Sequence, residues 1–165
     1  MNKTLFIIKK VVTWVFIVVA ACMMLFTIIS ATCFDKANRS LLGYKMFVVL
    51  SDSMKATDFE SGDLIFSKNI KDMSKLQVGD IISFYSSNPD NFGEIVTHKI
   101  RAKTRDNAGN PGFVTYGTTT NVDDESIVTY DMIVGKYQFR LAKIGAFFQF
   151  LKTTPGYIIC ILIPF

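Results

Sequence analysis

The hydrophobic residues form one long run, then a series of short runs, and these patterns predict different elements. Val11 to Phe34 is a run of 24 residues without a charged side chain. At about 1.5 Å per residue, a helix of that length reaches about 36 Å and can cross a hydrocarbon layer of about 30 Å. Three lysines lie among the first ten residues, and basic flanks tend to stay in the cytoplasm. We therefore predict a cytoplasmic N-terminus (1–10), a transmembrane helix (11–34) and an extracytoplasmic remainder at the cell membrane.

A cleaved signal peptide is the competing interpretation of this run. The apolar part of a signal peptide is usually about 7–15 residues long, which is shorter than the run seen here. The stretch "VAAC" (Val19–Cys22) resembles a lipoprotein cleavage site, but the apolar run continues through Met23–Ser30. We favour an uncleaved anchor.

Between Asp35 and Lys143 the pattern changes to short apolar runs separated by turn residues. Runs rich in Val, Ile, Phe and Tyr are typical of strands, and Gly-Asp pairs and Asn/Pro/Gly clusters are typical of turns. The predicted strands are Met46–Leu50, Asp63–Ser67, Asp80–Tyr85, Glu94–Ile100, Phe113–Gly117 and Met132–Arg140. We read Asp106–Gly112 as a hairpin tip. The sequence thus predicts a mostly β, antiparallel domain over 35–143.

The segment 144–165 is apolar apart from the interruption "KTTPG" (Lys152–Gly156). The last stretch, Tyr157–Phe165, is too short to span a membrane by itself. Two interpretations stay open: the segment folds back on the domain or the membrane, or it begins a second transmembrane helix. We expect the natural protein to continue past Phe165 into such a helix.

Charge and cysteine content narrow the classes of partner and cofactor. The net charge is +4, and the basic residues do not cluster with aromatic ones, so we expect no nucleic acid as partner. An anionic lipid bilayer suits the excess charge better. Cys22, Cys33 and Cys160 lie in or beside apolar segments without CxxC or Cys/His spacing. We therefore expect neither a disulfide framework nor a zinc site.

The candidate chemistry begins with two serines and the one histidine of the chain. Ser51 and Ser53 lie in a polar stretch, and His98 lies in the strand-like "EIVTHKI". Lys99 is the other candidate base, but adjacent strand residues point to opposite faces, so His98 and Lys99 cannot both face one site. By residue type alone, a single histidine beside hydrophobic residues is more often structural, and serine-rich turns are common.

The order of five motifs changes this assessment. They are "SDSM" (Ser51–Met54), "SGDLI" (Ser61–Ile65), "VGDIISF" (Val78–Phe84), "VTHKI" (Val96–Ile100) and "YGTTTNVDD" (Tyr116–Asp124). Behind an N-terminal anchor, their order and spacing resemble type I signal peptidases of the histidine-bearing branch, found in the endoplasmic reticulum, archaea and some Gram-positive bacteria. The resemblance covers nearly the whole chain and implies an antiparallel β peptidase domain.

The resemblance also implies a role for each site residue. Ser53 occupies the position of the nucleophile, His98 that of the general base, and Asp124 that of the supporting acid. The Ser51 hydroxyl and the Ser53 backbone N–H fall where the family stabilises the oxyanion. The chemistry is consistent, because a neutral imidazole can activate an alcohol and a carboxylate can fix its tautomer. Such a site needs no metal and no cofactor.

The implied function is a membrane-anchored serine endopeptidase that removes signal peptides from secreted proteins. Its expected partners are precursor signal peptides, the lipid bilayer and the secretion machinery. The family accepts small residues at the first and third positions before the cut. The stretch Phe47–Ser51 is a candidate wall of the substrate site.

Two positions depart from the family pattern. Ala56 replaces a usual proline, and Gly117–Thr120 replaces a Gly-Asp-Asn-Asn box, so that Thr118 stands where the family has an acid. These departures keep open a non-catalytic homologue that binds precursors and assists surface-protein or pilus assembly. A membrane-anchored β adhesin would leave the ordered motifs unexplained.

The other acidic residues near these motifs have simpler interpretations. We expect Asp63 and Asp80 to form turns with their preceding glycines, and Asp52 and Asp123 to be solvated. Met54 is expected to pack beside the nucleophile.

Overall fold

A computed structural model of the protein describes residues 3–29, 40 and 43–158, with the backbone alone at 3–5, 22, 23, 25–29 and 157. Within these residues the chain forms an N-terminal helix, a seven-stranded sheet and two short C-terminal helices. The helices are α1 (Lys3–Ile29), α2 (Ile144–Lys152) and α3 (Thr154–Tyr157). The strands are β1 (Tyr44–Val48), β2 (Leu64–Lys68), β3 (Ile81–Tyr85), β4 (Ile95–Arg105), β5 (Pro111–Tyr116), β6 (Val128–Thr129) and β7 (Ile133–Leu141).

The sheet has the order β1-β2-β7-β3-β4-β5-β6, and each neighbouring pair is antiparallel. The last strand, β7, lies between β2 and β3, so the end of the domain is held in the middle of the sheet. The prediction of a mostly β, antiparallel domain is confirmed.

All six predicted strands are present, and their limits differ from the predicted ones by at most two residues except at the end of β4. The first ends at Val48 rather than Leu50, and Leu50 is 73% exposed where the chain leaves the sheet. β4 continues beyond Ile100 to Arg105 because its pairing with β5 extends to the hairpin tip. The two-residue β6 was not predicted, since it is too short to give a pattern.

Two apolar clusters form the core on opposite faces of the sheet. Adjacent strand residues point to opposite faces, and Ile81 and Ile82 belong to different clusters. One cluster contains Leu76, Ile82, Phe84, Ile100, Phe113, Val128 and Ile133. The other contains Val49, Met54, Phe59, Ile65 and Ile81.

The predicted transmembrane run coincides with α1 up to Ile29, and residues 30–34 of the run lie outside the described residues. None of the helices in the described ranges combines the length and the apolar character needed to cross a membrane.

The C-terminal apolar segment begins as a helix that was not predicted. The N–H of Ala146 in α2 donates to the carbonyl of Gly62 at 2.7 Å. A Cβ on Gly145 would come within 2.6 Å of the Asp63 carbonyl, so only glycine permits this close packing. Residues 159–165 lie outside the described residues, so neither interpretation of the chain end is decided.

Asp63 has a larger structural role than the predicted turn. Gly62 does turn the chain, with φ +88°. The Asp63 side chain, however, is fully buried and accepts hydrogen bonds from Arg140 Nη1 at 2.6 Å and the Lys143 N–H at 3.0 Å. It therefore joins the start of β2 to the connection between β7 and α2.

Candidate active site

The loop that carries Ser53 is anchored in the core by its neighbour. Met54 is fully buried in the second cluster, as its expected packing role requires. The Met54 carbonyl accepts the Asp58 N–H at 3.0 Å, and the Asp52 carbonyl accepts the Lys55 N–H at 3.1 Å. These bonds make a compact turn that presents the partly exposed Ser53 beside β4.

His98 lies between Asp124 and Ser53. Its Nδ1 is 2.7 Å from Asp124 Oδ2, and its Nε2 is 3.1 Å from Ser53 Oγ. The Ser51 hydroxyl is 3.2 Å from the Ser53 hydroxyl. The structure thus brings the four predicted site residues into one chain of hydrogen bonds, although they come from three separate parts of the sequence.

The chemistry of these groups sets the direction of the hydrogen bonds. An ionised carboxylate is only an acceptor, so Nδ1 of His98 carries the proton and donates it to Asp124. The neutral ring then leaves Nε2 as an acceptor for the Ser53 hydroxyl proton. Ser53 Oγ in turn can accept the proton of Ser51. We assign this tautomer from the network.

The ionised state of Asp124 is supported by its surroundings. Burial opposes the charge, but hydrogen bonds from His98 and Thr115 outweigh that effect and hold the pKa of Asp124 below its ordinary value. The Thr115 hydroxyl donates to Asp124 Oδ2 at 2.6 Å, and the Thr115 carbonyl accepts the Asp124 N–H at 2.8 Å. The sequence reasoning missed Thr115. The only feature of the sequence that could have indicated Thr115 was its hydroxyl group, in a predicted strand whose other residues were expected to pack in the core.

The loop after β5 holds the Ser53 loop in place. The Thr119 N–H donates to the Ser53 carbonyl at 2.9 Å, and the Thr119 hydroxyl donates to the Asp52 carbonyl at 2.5 Å. A Cβ on Gly117 would lie 3.0 Å from the Ser53 carbonyl oxygen and 3.3 Å from His98 Nε2. The sequence does not predict the two hydrogen bonds from Thr119, because nothing in the "GTTT" box indicates that it contacts the Ser53 loop.

Thr118, which the sequence resemblance aligns with an acidic position, is outside the hydrogen-bond chain. Among the described residues, its buried hydroxyl has no hydrogen-bond partner. The candidate base Lys99 is 3.9 Å from Asp58, while its neighbour His98 contacts Ser53, as the strand alternation predicted.

The remaining acidic residues behave as simple surface or turn residues. The side chains of Asp52 and Asp123 are 51% and 50% exposed and so partly solvated, but Asp52 also accepts the Ser61 N–H at 2.8 Å and Asp123 pairs with Arg101. Asp80 follows a glycine with φ +92° and pairs with Lys136 at 2.7 Å.

A groove of ≈ 190 Å³ runs beside Ser53. Phe47 to Ser51 line one wall, and Ile95 to Thr97 of β4 line another. β4 pairs with β3 from Ile95 onward but with β5 only from Lys99 onward. Among the described strands, none therefore pairs with the backbone of Ile95–Thr97 on the side where β5 would lie.

Within the described residues, no three His, Cys, Asp or Glu side chains are grouped so as to hold a metal ion. The interpretation of the site depends on its geometry and on the sequence motifs, because no protein-family model matches the chain and no curated protein is similar to it.

Proposed function

We propose that the protein is a membrane-anchored serine endopeptidase that removes signal peptides from secreted precursors. The observation that carries the proposal is the directed hydrogen-bond chain from Asp124 through His98 to Ser53. A serine hydroxyl beside a base that is oriented by a carboxylate is the arrangement needed for acyl transfer.

The first half of the reaction would form an acyl-enzyme. His98 Nε2 takes the Ser53 proton as Oγ attacks the scissile carbonyl carbon. The resulting imidazolium is stabilised by Asp124 and then gives its proton to the leaving amine as the peptide bond breaks. The Ser51 hydroxyl and the Ser53 backbone N–H supply the oxyanion donors, and one such donor is typically worth about 10²–10³ in rate.

The second half would release the signal peptide. A water molecule gives a proton to His98 Nε2 and attacks the acyl carbon on Ser53. The ester bond breaks, and the same proton returns to Ser53 Oγ. Because His98 acts as the base in both halves, activity should require its neutral imidazole.

The groove suits an extended peptide. The free edge at Ile95–Thr97 could accept a peptide as an added strand, as in other edge-binding domains, and the Phe47–Ser51 wall faces it. A groove of ≈ 190 Å³ has room for small side chains. This agrees with the preference for small residues that the family resemblance implies.

The proposed anchor is the uncharged run Val11–Phe34, which extends beyond the end of α1 at Ile29. A signal peptide keeps its apolar part in the bilayer, so its scissile bond lies near the outer membrane surface. An anchored enzyme with its β domain outside the cell meets the bond there. The secretion machinery that delivers the precursor is then a natural partner.

A cleavage assay on a membrane-embedded precursor tests this proposal. Wild-type protein should release the mature protein, and Ser53→Ala should abolish release without lowering the melting temperature. Ser74→Ala is the matched control, since the Ser74 side chain contacts Asp72 and not the site. His98→Ala should also be inactive, and retained activity in that variant would point to a lysine base.

The non-catalytic binder is favoured by one observation, the buried Thr118 hydroxyl that has no partner among the described residues. A site that has lost the family acid at this position could retain precursor binding without cleavage. Binding of a precursor by wild-type protein, with no cleavage by either wild type or Ser53→Ala, would support this second function.

A further inference from the structure

Three hydroxyl groups form a second hydrogen-bond chain on the core side of the groove. Ser67 Oγ on β2 is 2.7 Å from Ser83 Oγ on β3, and Ser83 Oγ is 2.8 Å from Thr97 Oγ1 on β4. Ser67 and Ser83 are fully buried, whereas Thr97 lines the same groove as Ser53. The chain thus runs from the interior of the sheet to the groove.

The chain crosses β7 at a glycine. β7 lies between β2 and β3, and its Gly135 pairs with Ser83. A Cβ on Gly135 would lie 3.3 Å from the Ser67 Cβ and 2.8 Å from the Lys68 carbonyl oxygen. The absence of a side chain at Gly135 therefore leaves the space in which the two serine hydroxyls meet.

The number of hydroxyl protons determines which hydroxyl donates and which accepts in each of these hydrogen bonds. Three hydroxyls have three protons but share only two hydrogen bonds, so one proton is not used within the chain. Ser67 is fully buried, and Ser83 is the only partner of its hydroxyl within the described part of the chain. If the spare proton were on Ser67 or on Ser83, which are both fully buried, a buried donor would be left unsatisfied, which is costly. The favoured order is Ser67 to Ser83 to Thr97, which leaves Thr97 with a proton to donate into the groove.

We propose that the Thr97 hydroxyl is a specificity-determining donor that selects a peptide with a small, acceptor-bearing side chain, such as serine, over one with alanine. This inference rests on the proposed function only in taking the groove as the place where a peptide binds. Ile95, which lies on the same face of β4 as Thr97 and also lines the groove, offers no side-chain hydrogen bond. The apolar side chain of Ile95 accommodates a small side chain, and Thr97 adds the polar contact that distinguishes serine from alanine.

The test uses the full chain in detergent and precursor peptides that differ only in having serine or alanine at one of the three positions before the cut. For wild type, the ratio of kcat/KM for the serine peptide to that for the alanine peptide should be highest at one position. Thr97→Val keeps the shape but removes the hydroxyl, and it should lower that ratio by about two- to tenfold, the range for one neutral hydrogen bond. Thr97→Ser should retain the ratio. Thr104→Val on the same strand, outside the groove, is the matched control.

A binding arm separates this inference from the proposed function. The same peptides, carrying a fluorophore, are titrated against Ser53→Ala protein with and without Thr97→Val. If wild type cleaves nothing, the peptidase proposal fails, but the affinity ratio still decides the role of Thr97. Equal ratios with and without the hydroxyl at every position overturn the inference. Equal weakening of both peptides overturns it too, since the hydroxyl would then serve the peptide backbone. The inference is also overturned if neither peptide binds measurably.

Discussion

At the scale of single residues, the chemistry of the candidate site depends on which atom carries the proton in each hydrogen bond. Asp124 can only accept, His98 donates at Nδ1 and accepts at Nε2, and the Ser53 hydroxyl completes the sequence. Thr115 adds a second donor to the same carboxylate oxygen. These bonds keep Asp124 charged, as the lowered pKa of its carboxyl indicates. An ionised Asp124 is what holds the histidine in the tautomer that can deprotonate a serine.

Substitutions of Asp124 and Thr118 should therefore have very different effects on the cleavage rate. Asp124→Asn presents an amide to Nδ1 and favours the wrong tautomer, so we expect the cleavage rate to fall by orders of magnitude, up to about 10⁴. Thr118→Val removes a buried hydroxyl that has no partner among the described residues, so it should leave both rate and stability nearly unchanged. Parallel rate and melting measurements on one precursor compare them. A larger rate loss in Thr118→Val would show that the acid is wrongly assigned.

Gly117 provides a residue-scale prediction that sequence reasoning did not make. Gly117→Ala would place a methyl group 3.0 Å from the Ser53 carbonyl oxygen and 3.3 Å from His98 Nε2. We expect these neighbours to move by a few tenths of an ångström, which shifts the nucleophile relative to the base and lowers kcat, by less than the roughly 10² that a displacement of about 1 Å costs. Single-turnover rates and thermal melts measure the two effects separately. Unchanged kcat in a folded Gly117→Ala protein would contradict the contact.

At the scale of elements, the types and order of residues in the sequence predicted most strands and the main site residues. They did not predict contacts that form only when distant segments meet. Most strands have a dense run of β-branched or aromatic residues, so their positions were recognisable. The polar end of β4 and the two-residue β6 are strands only because they pair with β5, and a local sequence pattern does not show such pairing. Ser53, His98 and Asp124 could be named from motif order. Thr115 and Thr119 could not, because their roles depend on how two loops meet in space.

The connection between β2, β7 and α2 depends on Asp63. Burial opposes its charge, but hydrogen bonds from the Lys143 and Glu60 N–H groups and from Arg140 hold the pKa of Asp63 below its ordinary value. A carboxyl with a lowered folded-state pKa stabilises the fold above its unfolded pKa, and that stabilisation is lost as the pH falls through the folded value. This buried carboxylate therefore contributes a pH-dependent part of the stability.

Asp63→Asn should lower the free energy of unfolding at neutral pH by about 1.5–3 kcal/mol, the range for hydrogen bonds to a charged group. The difference from wild type should shrink as the pH falls below about 4, where unfolded aspartates take up a proton. Urea unfolding at several pH values measures it, and Asp90→Asn, at an exposed turn carboxylate, is the control. A stability difference that stays constant down to pH 3 would exclude the proposed role of the charge.

At the scale of the whole molecule, the proposals require the β domain to face the membrane surface from outside. The outward side of α2 carries Ile144, Phe147 and Phe150, which are 39%, 54% and 41% exposed. A surface helix normally exposes polar residues on this side. These apolar side chains, together with the uncharged run Val11–Phe34, are consistent with a domain held close to a bilayer, where the scissile bond of a signal peptide would be presented.

The proposed orientation can be tested by labelling intact cells. Cys22, Cys33 and Cys160 are first replaced by serine or alanine, and a single cysteine is introduced as Ser74→Cys, at an exposed turn of the β domain. A cytoplasmic N-terminus and an external domain predict that a membrane-impermeant maleimide labels this cysteine without lysis. Asn2→Cys, in the same background, should be labelled only after the membrane is permeabilised. The reverse pattern would invert the proposed topology, because a domain on the cytoplasmic side could not meet the cleavage site of an exported precursor.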